Sequence, residues 1–131
     1  MPPKFRERGA AAVEFALILP MLLMLIGGVI DFGNLYYNQL ILSNAARDGV
    51  RLIASNSTAS PAWTQAYIQQ RITNSASPIV VSSAATSWTC TSGSSVTVTV
   101  TRSTAFKWTV LGMVPGLPTP TPTGKVQIAC S

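Results

Sequence analysis

The apolar pattern divides the chain into a continuous run, an amphipathic stretch and an alternating tail. From Phe15 to Ile30 no residue is charged, and the run reaches back to Ala10 with one acid in it, Glu14. Taken as a helix, Ala10 to Ile30 is about 21 residues and roughly 31 Å long, enough to cross a bilayer core. Pro20 lies mid-run and predicts a bend, which membrane helices tolerate. Asp31 closes the run. Beyond it Phe32, Leu35, Tyr36, Gln39, Leu40, Ser43, Ala46, Val50 and Ile53 follow steps of three and four. The helix is therefore expected to continue to about Ala54, with Leu35, Leu40, Ala46, Val50 and Ile53 as the stripe that enters a core. Tyr36 and Tyr37 follow the span by about one turn, where aromatic rings favour the membrane interface.

The tail reads differently. Ser55 to Ser60 is a turn, and Ser60-Pro61 predicts an N-cap and first-turn proline for a short helix from Ala62 to Ile72. Trp63, Ala66, Tyr67 and Gln70 would share one face of it. SVTVTVTR, Ser95 to Arg102, alternates valine with threonine and is the clearest strand, with Val96, Val98 and Val100 on one side. SWTCT, Ser87 to Thr91, alternates too, so these two segments predict a hairpin across Gly93. Phe106 to Leu111 reads either as a helical turn or as a loop covering the sheet edge. Pro115 to Thr123 holds too many prolines for a central strand. KVQIAC, Lys125 to Cys130, is expected to be the last strand. The fold class expected is α+β: a long N-terminal helix packed on a small antiparallel sheet.

Charge sharpens the membrane reading. The chain has 131 residues, 10% of them charged, and a net charge of +5. Lys4, Arg6 and Arg8 stand against Glu7 before the apolar run, while the other six basic residues are scattered along the chain. Without a dense basic patch, no nucleic-acid partner is expected. By the positive-inside rule the basic cluster keeps the N-terminus cytoplasmic and places the rest outside. In that compartment Cys90 and Cys130 are expected to form one disulfide, the alternative being two unpaired thiols. Closing a loop of this length contributes roughly 3–4 kcal/mol.

There is no histidine. Its absence removes the commonest general base and most zinc sites. Asp31 and Asp48 stand about 25 Å apart on one helix and cannot work as an acid–base pair. No phosphate-binding glycine loop is present. The expectation is therefore no enzymatic activity, no cofactor and no metal.

One constellation remains: a basic leader, Gly9, and Glu14 five residues later inside an apolar helix. It resembles the class III signal of type IV pilins and pseudopilins. Together with NAARDGVRLIA, Asn44 to Ala54, it looks most like the TadE-like family, minor pseudopilins of bacterial tight-adherence pilus systems. The resemblance covers about residues 5–54. It implies cleavage between Gly9 and Ala10 by a prepilin peptidase. It also implies an assembly role for Glu14 and Phe15, with Glu14 meeting the freed ammonium of a neighbouring subunit. The alternative for Glu14 is an acid at the membrane entrance that snorkels or is protonated. Arg47, Asp48 and Arg51 form either a subunit contact or a solvated face, and Asp48 can pair with Arg51.

The organisation expected is a cytoplasmic leader (1–9), a transmembrane helix (10–30), its amphipathic continuation (31–54) and an extracytoplasmic module (55–131). The resemblance implies a bacterial inner-membrane location. Its partners would be other pilin or pseudopilin subunits, a prepilin peptidase, an inner-membrane assembly platform and the lipid bilayer. Major tight-adherence pilins are much shorter and the large relatives much longer, which favours a minor subunit. The competing reading is a single-pass anchored module that binds a ligand, a surface or DNA through Trp63, Trp88, Trp108 and the tyrosines, residues that core packing explains better.

Overall fold

The computed structural model describes residues 6–57 and 62–130. Lys4, the side chains of Arg6 and Arg8, and the Ser60-Pro61 cap lie outside the described residues.

Helix α1 runs unbroken from Arg6 to Ala54, 49 residues with Pro20 inside it. The last four residues of the leader are thus part of the helix. Arg6, Glu7 and Arg8 are good helix formers, and the lone Gly9 costs only about 1 kcal/mol relative to alanine. The chain resolves into two compact units, Met1–Gly33 with Lys107–Leu117, and Asn34–Phe106 with Pro118–Ser131.

The second unit is built on a three-stranded antiparallel sheet. Its strands are β1 (Val81–Ala85), β2 (Ser95–Arg102) and β3 (Thr123–Ala129), in the order β1-β2-β3. The register pairs Ala85 with Val98 and Val98 with Val126. Val96, Val98 and Val100 are fully buried, as their alternation requires. They meet Leu42, Ala45, Ala46, Val50 and Ile53 of α1 and Ile68 and Ile72 of α2 (Gln65–Ser75) in one core. Each fully buried valine or isoleucine contributes about 1.5–3 kcal/mol.

Three expectations need correction here. The helix stripe holds at Ala46, Val50 and Ile53 but not at Leu40, which is 45% exposed; Leu42 and Ala45 join the core in its place. Residues 42, 45, 46, 49, 50 and 53 keep the helical period. The expected stripe was carried forward from Phe32, which belongs to the first unit. Helix α2 starts later than expected because Thr64 caps it, its hydroxyl accepting from the Tyr67 amide at 3.3 Å. Its buried face is Ile68 and Ile72, while Trp63 and Tyr67 stack on the surface with ring centroids 4.9 Å apart.

The third correction concerns the hairpin. β2 pairs with β1, not with Ser87–Thr91. The alternating SWTCT segment lies in the connection between the two strands, held by Asn56. That side chain is 1% exposed and donates to the carbonyls of Trp63 at 3.0 Å and Trp88 at 2.7 Å. Its oxygen accepts from the Trp63 amide at 3.0 Å, and its own carbonyl accepts from the Cys90 amide at 2.8 Å. The Cys90–Cys130 disulfide is present, with Cα atoms 5.5 Å apart across 40 residues. It ties the end of β3 to this connection instead of to a strand. The last strand appears where expected, two residues longer at its start.

A seam at one end of the sheet fixes α1 on it. Arg102 donates to Asn38 Oδ1 at 3.3 Å and lies over the ring of buried Phe106. Gln39 donates to the Thr123 carbonyl at 2.7 Å. Next to it, Gly124 lies directly on the backbone of Leu42 and Ser43.

Candidate functional site

Three places carry the residues singled out from the sequence. The first is the apolar half of α1. Nearly every side chain from Val13 to Ile30 is exposed, on all faces of the helix. A helix apolar all round and left uncovered by its own chain has the form of a membrane span. α1 is long and apolar enough to cross a membrane once. Gly9 and Ala10 are exposed in its first turns, and so are Glu14 and Phe15. Gly9 and Glu14 are about 7.5 Å apart along the axis.

The second place is Arg47, Asp48 and Arg51. All three are exposed. Asp48 does not pair with Arg51; it accepts from Ser75 Oγ of α2 at 2.8 Å. Arg47 and Arg51 instead flank an open groove of about 510 Å³ between α1 and β3, with Val50, Val126 and Ile128 in its lining. α1 and β3 touch at Leu42 and Gly124, and the groove lies farther along both. β3 has a strand neighbour on one side only, and its outer edge pairs with no strand among the described residues.

The third place was legible only as a boundary. Asp31, expected to mark the end of the span, is fully buried. Its Oδ1 accepts from the Thr109 amide at 3.0 Å, and its Oδ2 from Val110 at 2.9 Å and Leu111 at 2.8 Å. The Leu111 amide, with those of Val110 and Thr109, holds the Asp31 carboxyl below its ordinary 3.8, while burial pushes the other way. Val110 fills the space where Gly27 has no side chain, and Trp108 meets Phe32 edge-on at 5.9 Å. The 107–111 segment therefore packs on the end of the apolar helix. Its one regular turn is the 3₁₀ helix Leu111–Met113. The available signal was an acid closing an apolar run in a chain that also holds an apolar segment rich in backbone donors. Their separation of about eighty residues gave no local pattern to read.

Among the described residues no three His, Cys, Asp or Glu side chains gather into a group that would hold a metal ion.

Residues 9–51 match the family model described as TadE-like protein. This segment is similar to TadE-like proteins. It covers about a third of the chain and lies entirely on α1. The resemblance read from Gly9, Glu14 and AARDGVR is thereby borne out. The TadE-like family suggests a role in tight-adherence pilus systems and involvement with pilus components. No curated protein and no solved structure matches the chain.

Proposed function

We propose that this TadE-like chain is a minor pseudopilin-like subunit, cut by a prepilin peptidase between Gly9 and Ala10 and taking part in assembly of a tight-adherence pilus. The observation that carries this reading is the family match over residues 9–51, laid on a helix whose apolar half its own chain leaves uncovered. Such a surface is at rest in lipid and can exchange lipid for the helices of neighbouring subunits. The scissile bond lies inside α1, so the peptidase must open the first turns of the helix. Gly9 is where that opening costs least, since glycine favours the helix less than any of its neighbours.

Cleavage leaves an ammonium on Ala10. Glu14 of a neighbouring subunit then supplies the opposite charge in a medium where an unpaired charge is costly. Outside the membrane, the groove beside Arg47 and Arg51 is the contact for an adjacent pilus component. Asp48, held by Ser75, also lines the groove and is the only acid in that compact unit, so Arg47 and Arg51 leave a net positive charge there and an acidic side chain on the partner is the complement.

Mass spectrometry of the protein purified from membranes of a host with the pilus system is expected to find Ala10 as the first residue. An intact leader would instead mark a plain membrane anchor. Glu14→Gln is expected to be processed and inserted normally while its recovery with pilus components falls at least about tenfold, the factor that corresponds to losing one charge-assisted contact. Normal assembly of this variant would remove the charge pair from the proposal.

A further inference from the structure

We propose that the loop 107–117 is a second membrane contact: a foot that seats Leu111, Met113 and Val114 in the lipid beside the end of the α1 span. The proposal rests on α1 crossing the bilayer.

Position is the first argument. Val110 occupies the space at Gly27, which lies about 5 Å inside the apolar run that ends at Ile30. A loop packed at that depth touches lipid wherever it does not touch the helix. The surface it presents there is apolar. Met113 is 85% exposed and Val114 38% exposed, with Leu111 and Leu117 half-buried. Loop residues after Lys107 carry no charge.

The backbone is the second argument. Irregular chain is tolerated at membrane depth only when its own N–H and C=O groups are paired. Asp31 takes the amides of Thr109, Val110 and Leu111. The 3₁₀ turn pairs the amides of Met113 and Val114 with the carbonyls of Val110 and Leu111, at 3.2 and 3.0 Å. Pro115 has no amide to pair. Five of the loop's amides, those of Thr109, Val110, Leu111, Met113 and Val114, are thus paired within the unit, while Met113 and Val114 turn hydrocarbon outward. The third argument is Lys107-Trp108 at the loop's root, beside Phe32: a cation and an indole are the side chains that settle at the headgroup level.

Depth can be read with a nitroxide, because the chain has no free cysteine among the described residues. Met113→Cys is labelled in the full chain in vesicles of phosphatidylcholine and phosphatidylglycerol. Collision with oxygen, which partitions into lipid, is compared with collision with a water-soluble nickel complex. The label at 113 is expected to favour oxygen several-fold, as a label at Leu25→Cys in the span does, and to reverse the preference of one at the exposed Gln70→Cys. Nickel access at 113 with lipid access at 25 would overturn the foot and leave the span intact. Nickel access at both would overturn the span and the foot together. A label at 113 shielded from both reagents marks burial against protein and overturns the lipid assignment. Met113 contributes little to any core, so the substitution leaves the fold in place.

Discussion

Gly124→Ala is expected to destabilise the unit formed by residues 34–106 and 118–131 by about 3 kcal/mol, the upper end of what overpacking costs. A Cβ at this position would lie on the carbonyl carbon and oxygen of Leu42 and the nitrogen of Ser43. These are backbone atoms of a helix whose neighbouring turns are pinned by Asn38–Arg102 and Gln39–Thr123. They cannot rotate away as a side chain would, so β3 must lift from α1 and expose the valine face of β2. In a unit of this size the change corresponds to a fall in melting temperature of roughly 10–20 °C, read by circular dichroism of the full chain in detergent. Gly33→Ala is the control. It also sits in α1, with nothing within 4 Å of an added Cβ, and is expected to leave the melting temperature unchanged or slightly raised. Equal behaviour of the two variants would show that the contact at Leu42 is not what holds β3 in place.

The same seam explains what could be read in advance. β2 was legible because Val96, Val98 and Val100 alternate with threonines, and a buried strand face needs nothing more local than that. Its partner was not. Val81–Ala85 is mostly serine and alanine and gives no strand signal, while Ser87–Thr91 alternates well but is held as a loop by Asn56 and the Cys90–Cys130 bridge. Pairing was decided by tertiary contacts, which outweigh strand propensity. The start of α2 moved for a related reason: Ser60-Pro61 and Thr64 both carry capping chemistry, and Thr64 is the cap the chain uses. On α1 the lower part of the stripe, Ala46, Val50 and Ile53, was right, and its upper part was not, because it was carried on from the Phe32 ring. That ring belongs to the unit containing Trp108, whereas the core of the other unit starts at Leu42.

The residues of the TadE-like pattern were legible because they act through local spacing. Gly9 and Glu14 lie within two turns, and Arg47 and Arg51 are one turn apart, so a sequence shows them on one helix. What the sequence withheld was the other half of each arrangement. The wall that β3 contributes to the groove is supplied by residues more than seventy positions away, and so is the loop that meets Asp31. Such pairs become visible only when the chain has closed on itself.

Asp31→Asn is expected to release the 107–117 loop from α1. The carboxylate gives three backbone amides two acceptor oxygens, whereas asparagine has one oxygen and an NH2 group that is itself a donor. If the amide oxygen faces Val110 and Leu111, the NH2 opposes the Thr109 amide; turned round, it opposes the other two. Either way a buried donor is left without an acceptor beside a second donor, which costs more than the bond itself. Protection of the Thr109, Val110 and Leu111 amides against hydrogen exchange is expected to fall at least about tenfold. Protection of β2 should hold. The wild type should reach the same state through pH. Its folded-state pKa is lowered, so the carboxylate's contribution is complete above the ordinary value of 3.8 and is lost as pH falls through the lower folded value. Protection factors at 109–111, corrected for intrinsic exchange, should therefore hold from pH 7 down to about 4 and drop below it. In the asparagine variant they should start low and stay flat. If the variant kept wild-type protection at pH 7, the loop would be held by Val110 at Gly27 and Trp108 on Phe32, and the charge on Asp31 would have to serve something other than this contact.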